Sequence, residues 1–326
     1  MTQKEKVLIT GAGGDVGSVS RAIVELMIAD GYPVRAFVRR DDERAQWLRQ
    51  AGAEVFVGDL LNIADVTAAL SGCHRVYFSM SLSAYYSDAV ALMAAAARAQ
   101  GDIEVFVNIS EFEQSFMTFD LMTAPLADRL DALGGHVTQW SPQQRSHWVA
   151  ERLLDWSGLP VVNVQATIFV ENPILSRFPL PPILSTGELR LPFGGQRMAP
   201  IAGYDVAAAC AHILADPSDH ISRSYALTGP DLIDMYSLAE DYTAVLGRPV
   251  TYVPQDVDEW IETYIRQPLR DLNPHAGEHL STLVHLVADG RYDTVTDELE
   301  TLLRRPAKTI RWALQTLPDL HPRDLR

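Results

Sequence analysis

Lys6-Val7-Leu8-Ile9-Thr10 runs straight into Gly11-Ala12-Gly13-Gly14-Asp15-Val16-Gly17, and this junction decides the fold. A short apolar run reads as a buried strand, and the stretch from Val16 to Asp30 reads as a helix closed by Gly31. Between them each glycine has a mechanical use. Gly11 permits a tight turn, Gly14 lets the backbone come close to a diphosphate, and Gly17 lets the helix pack on the sheet. The free N–H groups of the helix start, Gly14 to Gly17 with Asp15 and Val16 among them, then face the phosphates. Three glycines alone are weak evidence of a dinucleotide site; the surrounding pattern must supply the context.

It does. Apolar runs at Pro33–Val38, Glu54–Gly58, Arg75–Ser79 and Glu104–Ile109 alternate with helical stretches at Asp42–Ala51, Ala64–Leu70 and Ala84–Gln100. Gly52, Gly72 and Gly101 stand where those helices must stop. Strands apolar throughout and separated by helices indicate a parallel sheet covered on both faces, the doubly wound α/β (Rossmann) arrangement. Between Glu111 and Gln139 no clean period is left. Ser141, Pro142 and Gln144 then mark a helix start that runs to Ser157-Gly158, and Val161–Ala166 reads as a sixth strand. Residues 1–170 are expected to form the dinucleotide-binding domain, recruiting parts of 195–230. Residues 171–326, opening with a proline-crowded region, are expected to form a smaller mixed lobe. That lobe holds a helix at Asp205–Ala215, strands at Ser224–Leu227 and Val250–Val253, and a helix at Leu238–Leu246 capped by Ser237 and Glu240.

The end of the second strand bears on the cofactor. An NAD site places a carboxylate there for the ribose 2′-hydroxyl, whereas this chain reads Val38-Arg39-Arg40. A guanidinium can clasp a 2′-phosphate in bidentate fashion, which favours NADP over NAD. The opposing reading pairs Arg39 and Arg40 with Asp41, Asp42 and Glu43 in a solvated loop. Asp59, after the third strand, can accept from the adenine amino group. Ser79, Met80 and Ser81 after the fourth strand, and Ser110 after the fifth, fall at the carboxyl ends of strands, where such sheets bind ligands.

The chain has 326 residues, 27 basic and 42 acidic, for a net charge of −15. That balance argues against nucleic acid as a partner. The two cysteines, Cys73 and Cys210, have no paired spacing and are expected to be reduced. The polar start and the absence of a long apolar stretch make the cytoplasm the expected location, with no membrane attachment.

Val7 to Gly17, Val34 to Arg39 and Gly58-Asp59-Leu60 resemble the NmrA-like branch of the atypical short-chain dehydrogenases/reductases. So do Ser157-Gly158-Leu159-Pro160 and Phe169-Val170-Glu171-Asn172. The resemblance implies an NADP-preferring extended Rossmann fold. It also implies a cofactor lining of Thr10 to Gly17, Arg39, Asp59, Leu60, Ser79 to Ser81 and the segment Ala166 to Phe169, with Thr167 and Phe169 as contacts. The wider superfamily uses Tyr-x-x-x-Lys as its proton donor, and here that motif is absent. The three lysines are Lys4, Lys6 and Lys308, and none has a tyrosine four residues before it. Alignment of the helix before the sixth strand puts Gln143 at the tyrosine position and His147 at the lysine position. His147 is then the candidate acid, because an imidazole titrates near the working pH. The opposing reading is a histidine that packs within its helix.

His275-Ala276-Gly277-Glu278-His279 fits a zinc-hydrolase pattern but lacks its context, and no metal is expected. Arg304, Arg305, Lys308 and Arg311 form a basic cluster at helical spacing that an acidic partner or an ordinary surface explains equally well. Trp260, Tyr264 and Trp312 are read as core packing, with the lining of a substrate pocket as the alternative. Two functional readings follow. One is an NADPH-dependent reductase acting on a small carbonyl, quinone or enone. The other is a non-catalytic NADP(H) sensor that acts through a regulatory protein partner.

Overall fold

The computed structural model describes residues 4–13, 19–133, 140–317 and 320. Gly14, Asp15, Val16 and Gly17, which carry the expected diphosphate contact, lie outside the described residues. The chain divides into two units: residues 1–115, 143–165 and 206–226 form the first, and residues 116–142, 166–205 and 227–326 the second.

In the first unit the strands are β1 (Val7–Ile9), β2 (Val34–Val38), β3 (Glu54–Val57), β4 (Arg75–Phe78), β5 (Val105–Glu111), β6 (Val161–Ala166) and β8 (Ser224–Leu227), with β7 in the second unit. Among the described residues they make one seven-stranded sheet in the order β3-β2-β1-β4-β5-β6-β8. Val7 stands between Val34 and Arg75 in parallel register, so β1 is flanked by β2 and β4. Val7, Leu8 and Ile9 are fully buried, as a central parallel strand requires.

The helices cover the sheet with one face each. In α1 (Val19–Ala29), Val19, Ser20, Ile23, Val24 and Met27 are buried, the spacing of a single helical stripe. Helix α2 (Glu43–Gln50) starts where the Asp42 carboxylate accepts from the Arg44 and Ala45 N–H groups. Helices α3 (Ile63–Leu70) and α4 (Tyr86–Gln100) follow, the latter ended by Gly101 at φ +86°. Val66, Ala69, Val90, Met93 and Ala97 from these helices pack with Leu8, Val76, Phe78 and Phe106 of the sheet. Burial of this apolar surface, at about 25 cal/mol per Å², is the main stabilising term of the unit.

Two expectations need adjustment. Strand β5 runs to Glu111, two residues past Ile109, so Ser110 lies in the strand and not after it. The unpatterned stretch after Glu111 contains a 3-10 turn (Phe112–Ser115) and two short helices, α5 (Phe119–Thr123) and α6 (Leu126–Leu133). Helix α7 (Pro142–Ser157) begins at Pro142, where the sequence places it.

The second unit holds α8 (Leu180–Thr186) and β7 (Glu188–Leu191), and α9 (Gly203–Ala215) begins in it. After β8 come α10 (Met235–Leu246) and β9 (Thr251–Pro254), then α11 (Val257–Ile261), a π-helical turn (Glu262–Arg266) and α12 (Gln267–Leu269). The chain closes with α13 (Pro274–Ala288), α14 (Glu298–Leu303) and α15 (Ile310–Thr316). Strands β7 and β9 pair in parallel as a small separate sheet. Helix α10 starts three residues earlier than expected. Asp234 is its cap, accepting from the Ser237 N–H at 2.8 Å and from the Ser237 hydroxyl at 2.9 Å, so Ser237 lies inside the first turn. Among the described residues no helix is long and apolar enough to cross a membrane.

The basic cluster near the C-terminus is mostly engaged within this unit. Arg305 reaches the fully buried Asp205 at 2.7 Å, the Lys308 N–H donates to the same carboxylate, and Arg311 pairs with Asp241 at 2.9 Å. Asp205→Ala leaves the Arg305 guanidinium and the Lys308 N–H without this acceptor. The Arg305 side chain is partly exposed, which sets the expected loss at the lower end for a broken buried pair, about 3 kcal/mol. Urea unfolding should show a lower midpoint with an unchanged slope.

Candidate dinucleotide site and buried acid cluster

The chain leaves β1 toward β2 and later returns to β4 on the other side of β1. The strand order therefore reverses between β1 and β4, and their carboxyl ends open the crevice where such sheets bind ligands. Thr10 and Ser79, the residues after these two strands, lock onto each other. The Thr10 hydroxyl donates to the Ser79 carbonyl at 2.7 Å and accepts from the Ser79 N–H at 2.8 Å. Gly11 follows at φ +71°, and a Cβ there would stand 2.9 Å from the Ser79 oxygen. Only glycine satisfies both demands. Around Gly13 a Cβ would meet nothing within 4 Å, so the turn faces open space on that side. Met80 packs against the core, and Ser81 is exposed.

On the adenosine side, Arg39 and Arg40 follow β2 and are both exposed. Asp41 and Asp42 do not pair with them. The Asp41 carboxylate takes the Arg49 guanidinium at 2.7 Å, and Asp42 takes Arg44 at 2.6 Å while capping α2. In each case the hydrogen bond from the arginine holds the carboxyl below its ordinary pKa. Arg39 and Arg40 thus stay uncommitted among the described residues. Arg44, which the sequence reading passed over, donates its Nη1 to the Gly13 carbonyl at 2.7 Å and lies directly on the glycine turn. Asp59 is fixed by its neighbours: its carboxylate accepts from the Leu61 N–H at 3.0 Å and its N–H donates to Asp65 at 2.9 Å. Leu60 packs on the core beside it. Thr167 and Phe169 belong to the second unit, where the Thr167 N–H donates to Leu227 and Phe169 bridges Ile201.

The first unit also gathers a set of buried polar side chains at the carboxyl end of β5. His147 of α7 is 7% exposed, and its ring lies tilted by 48° against Tyr86 of α4 with centroids 4.4 Å apart. Its Nε2 meets the Gln143 amide nitrogen at 3.0 Å and Glu111 Oε1 at 3.4 Å. The Gln143 oxygen in turn accepts from the Ser83 N–H at 3.2 Å, which ties the set to the loop after β4. Glu113 and Glu151 are 1% exposed. Both Glu151 oxygens accept from Gln165 at 3.0 Å, and Arg152 lies 3.5 Å away. Burial raises the Glu151 pKa, opposed by hydrogen bonds from Ser110 and Gln165. Glu111 is pushed up to about 8, first by burial and then by the charges of Glu113 and Glu151. The sequence reading found His147 and Ser110 but missed all three glutamates. The one available signal was Glu111 and Glu113 standing directly behind an apolar strand.

The zinc-like pattern on α13 has another use. His279 is buried with its pKa lowered to about 4 by desolvation, and its Nδ1 meets the Ser141 hydroxyl at 3.0 Å. Among the described residues no three His, Cys, Asp or Glu side chains gather closely enough to hold a metal ion.

Residues 11–217 match the profile of the NAD(P)H-binding family, and that span is more than half of the chain. The chain belongs to the NAD(P)H-binding family. It is 25% identical over 305 residues to an NAD(P)H azoreductase of Xenophilus azovorans, covering 93% of this chain and 94% of that protein. Its fold is shared with an NADPH-dependent quinone oxidoreductase of Escherichia coli solved with NADPH. The TM-score is 0.73 at 21% identity, over 94% of this chain and 98% of the other. It is shared equally with NmrA, a negative transcriptional regulator solved with NADP, at a TM-score of 0.74 and 20% identity over 97% and 96% of the two chains.

The raised pKa of Glu111 makes stability depend on pH. Folding holds a proton that the unfolded chain releases near the ordinary 4.5, so this contribution is complete below that value and is lost as pH rises toward about 8. The loss is at most about 1.4 kcal/mol per pH unit in that window. Urea unfolding at pH 6 and pH 9 should show Glu111→Gln gaining on the native chain at the higher pH. Parallel curves for the two proteins would contradict a raised Glu111 pKa.

Proposed function

We propose that this protein is an NADPH-dependent reductase that delivers hydride to a carbonyl, quinone or conjugated alkene of a small molecule. The observation that carries the cofactor half is the pairing after β2. Asp41 and Asp42 are paired with Arg49 and Arg44, which leaves Arg39 and Arg40 for a 2′-phosphate. Thr10, Gly11, Gly14, Asp15, Val16 and Gly17 take the diphosphate, with Arg44 beside them. Asp59 takes the adenine amino group, and Leu60, Ser79, Met80, Ser81, Ser110, Thr167 and Phe169 complete the proposed cofactor contacts. The bound dinucleotide supplies a hydride; this chain binds it, orients it and handles the accompanying proton.

The azoreductase and quinone oxidoreductase relatives support a reductase that acts on electron-poor conjugated acceptors. Such acceptors need the least help from an acid, which suits a chain without the tyrosine–lysine pair. A cytoplasmic setting fits two buried cysteines that stay unpaired. The second reading, an NADP(H) sensor working through a protein partner, draws on the fold shared with NmrA and on the same missing pair.

Calorimetry tests the cofactor assignment. NADPH should bind more tightly than NADH, and Arg39→Ala with Arg40→Ala should weaken NADPH by about tenfold or more while NADH is unaffected. Equal losses for both cofactors would assign the arginines to something else. The reaction is tested by loss of reduced-nicotinamide absorbance with a panel of quinones, enones and azo dyes. Tight NADPH binding with no turnover on any acceptor would transfer the assignment to the sensor.

A further inference from the structure

We propose that the outer face of α4 and α7 is the interface of a homodimer. Two copies pack there with each helix antiparallel to its counterpart, about a two-fold axis level with Met93 and Arg152. This assembly does not depend on the reductase reading.

The face is apolar although it is exposed. From Gln143 onward α7 lies with α4 in the first unit, and both helices bury their inner sides in its core. Their outer sides enclose a groove of about 490 Å³. Ala91 and Ala95 of α4 form one wall, and Trp148, Val149, Leu153 and Trp156 of α7 form the other. Val149 is 41% exposed and Trp156 is 75% exposed. A contiguous apolar patch of this kind marks a contact surface, and tryptophan is among the residues that most often hold an interface together.

The charges on α4 say what covers the groove. Asp88, Ala91, Ala95 and Arg98 follow one side of the helix, because residues three and four apart share a face. Asp88 and Arg98, at the two ends of this row, are exposed. Among the described residues Asp88 pairs with no cation, and Arg98 pairs with no carboxylate and donates to the Ser157 carbonyl. The row is self-complementary about Met93. Asp88 stands five residues before it and Arg98 five after, with Ala91 two before and Ala95 two after. A second α4 laid antiparallel sets each Asp88 against the other copy's Arg98. Small side chains then meet at the crossing, where two helices approach most closely.

Helix α7 obeys the same axis. Trp148 and Trp156 stand four residues to either side of Arg152. The relative level of the two helices is fixed by two bonds between them. Ser87 Oγ donates to the Ser146 carbonyl at 3.4 Å, and Arg98 donates to the Ser157 carbonyl. Both bonds join residues 59 apart, and the same offset joins Met93 to Arg152. One axis therefore carries Trp156 of each copy to the Trp148 end of the other's groove. Arg152, on the axis, brings no unanswered charge: it pairs with Asp155 at 2.9 Å and lies over the Trp148 ring at 5.6 Å. A patch that matches itself under a two-fold is what an isologous dimer requires, and an unrelated partner imposes no such coincidence.

Sedimentation equilibrium over a dilution series tests this. The native chain should reach twice the mass of one chain. Asp88→Arg and Arg98→Asp should each weaken association by about tenfold or more, because each sets like charges together twice per dimer. An equimolar mixture of these two variants should associate as tightly as the native chain, since every altered charge then meets its opposite. Trp156→Glu should weaken association by about a hundredfold or more. Urea unfolding as cooperative as that of the native chain shows that each variant is folded. A native chain that stays monomeric at every concentration overturns the proposal and gives the groove to another occupant. A dimer that all three single variants leave intact overturns it as well, and so does a mixture that associates no more tightly than its components.

Discussion

The reciprocal hydrogen bond between Thr10 and Ser79 is the contact on which the rest of the site depends. Strands β1 and β4 are neighbours in the sheet, but the chains leaving them run to different helices. The last backbone bond of the ladder among the described residues runs from the Thr10 N–H to the Tyr77 carbonyl at 3.1 Å. A hydroxyl that both donates to and accepts from one residue extends the pairing by a step, at 2.7 and 2.8 Å. Each bond is worth only about 1 kcal/mol net, so its importance is positional. It forces Gly11 close to the Ser79 carbonyl, and that closeness excludes any side chain there.

The buried carboxylates divide by what answers them. Asp205 has a guanidinium and a backbone N–H, and Glu151 has a side-chain amide on both oxygens. Glu171 sits at the start of α9, where both its oxygens accept from the Gly203 N–H and the helix dipole favours an anion. Burial raises the Glu171 pKa nonetheless. Glu111 Oε1 lies 3.4 Å from His147 Nε2, beside two further carboxylates. Burial and those charges favour the acid form of Glu111, and at Glu151 and Glu171 hydrogen bonds oppose the same effect of burial.

The sheet was legible because its strands are apolar throughout and its helices stop at glycines, both local signals. The carboxyl end of β5 was not. Ser110-Glu111 reads as the beginning of a loop by composition, and the groups that bury it come from α4 and α7, far away in sequence. Strand β7 was missed for a related reason. Glu188-Leu189-Arg190-Leu191 is too short to show a period, and its partner β9 begins at Thr251. The cap of α10 was placed at Ser237, whereas Asp234 takes that role by accepting from the Ser237 N–H. At the cofactor site the residue types were readable, but the pairing of Asp41 and Asp42 required knowing how α2 presents Arg44 and Arg49. Gly14 to Gly17 lie outside the described residues, so the diphosphate contact itself rests on the sequence pattern and the family match.

That pairing also explains how a chain of net charge −15 can present a phosphate site. Net charge governs the approach of a large polyanion, and here it disfavours nucleic acid. A single phosphate responds to charges within about 10 Å, the screening length at ordinary ionic strength. Within the segment from Arg39 to Arg49, two aspartates neutralise Arg44 and Arg49, and Glu43 is exposed on the first turn of α2. Arg39 and Arg40 remain as a local surplus of positive charge at the end of β2. Had the aspartates turned back to these two arginines, the same composition would have made a neutral loop with no preference for the extra phosphate. The helix start at Asp42 prevents this. Once that carboxylate is drawn into capping α2, it is held beside Arg44 and directed away from the strand end.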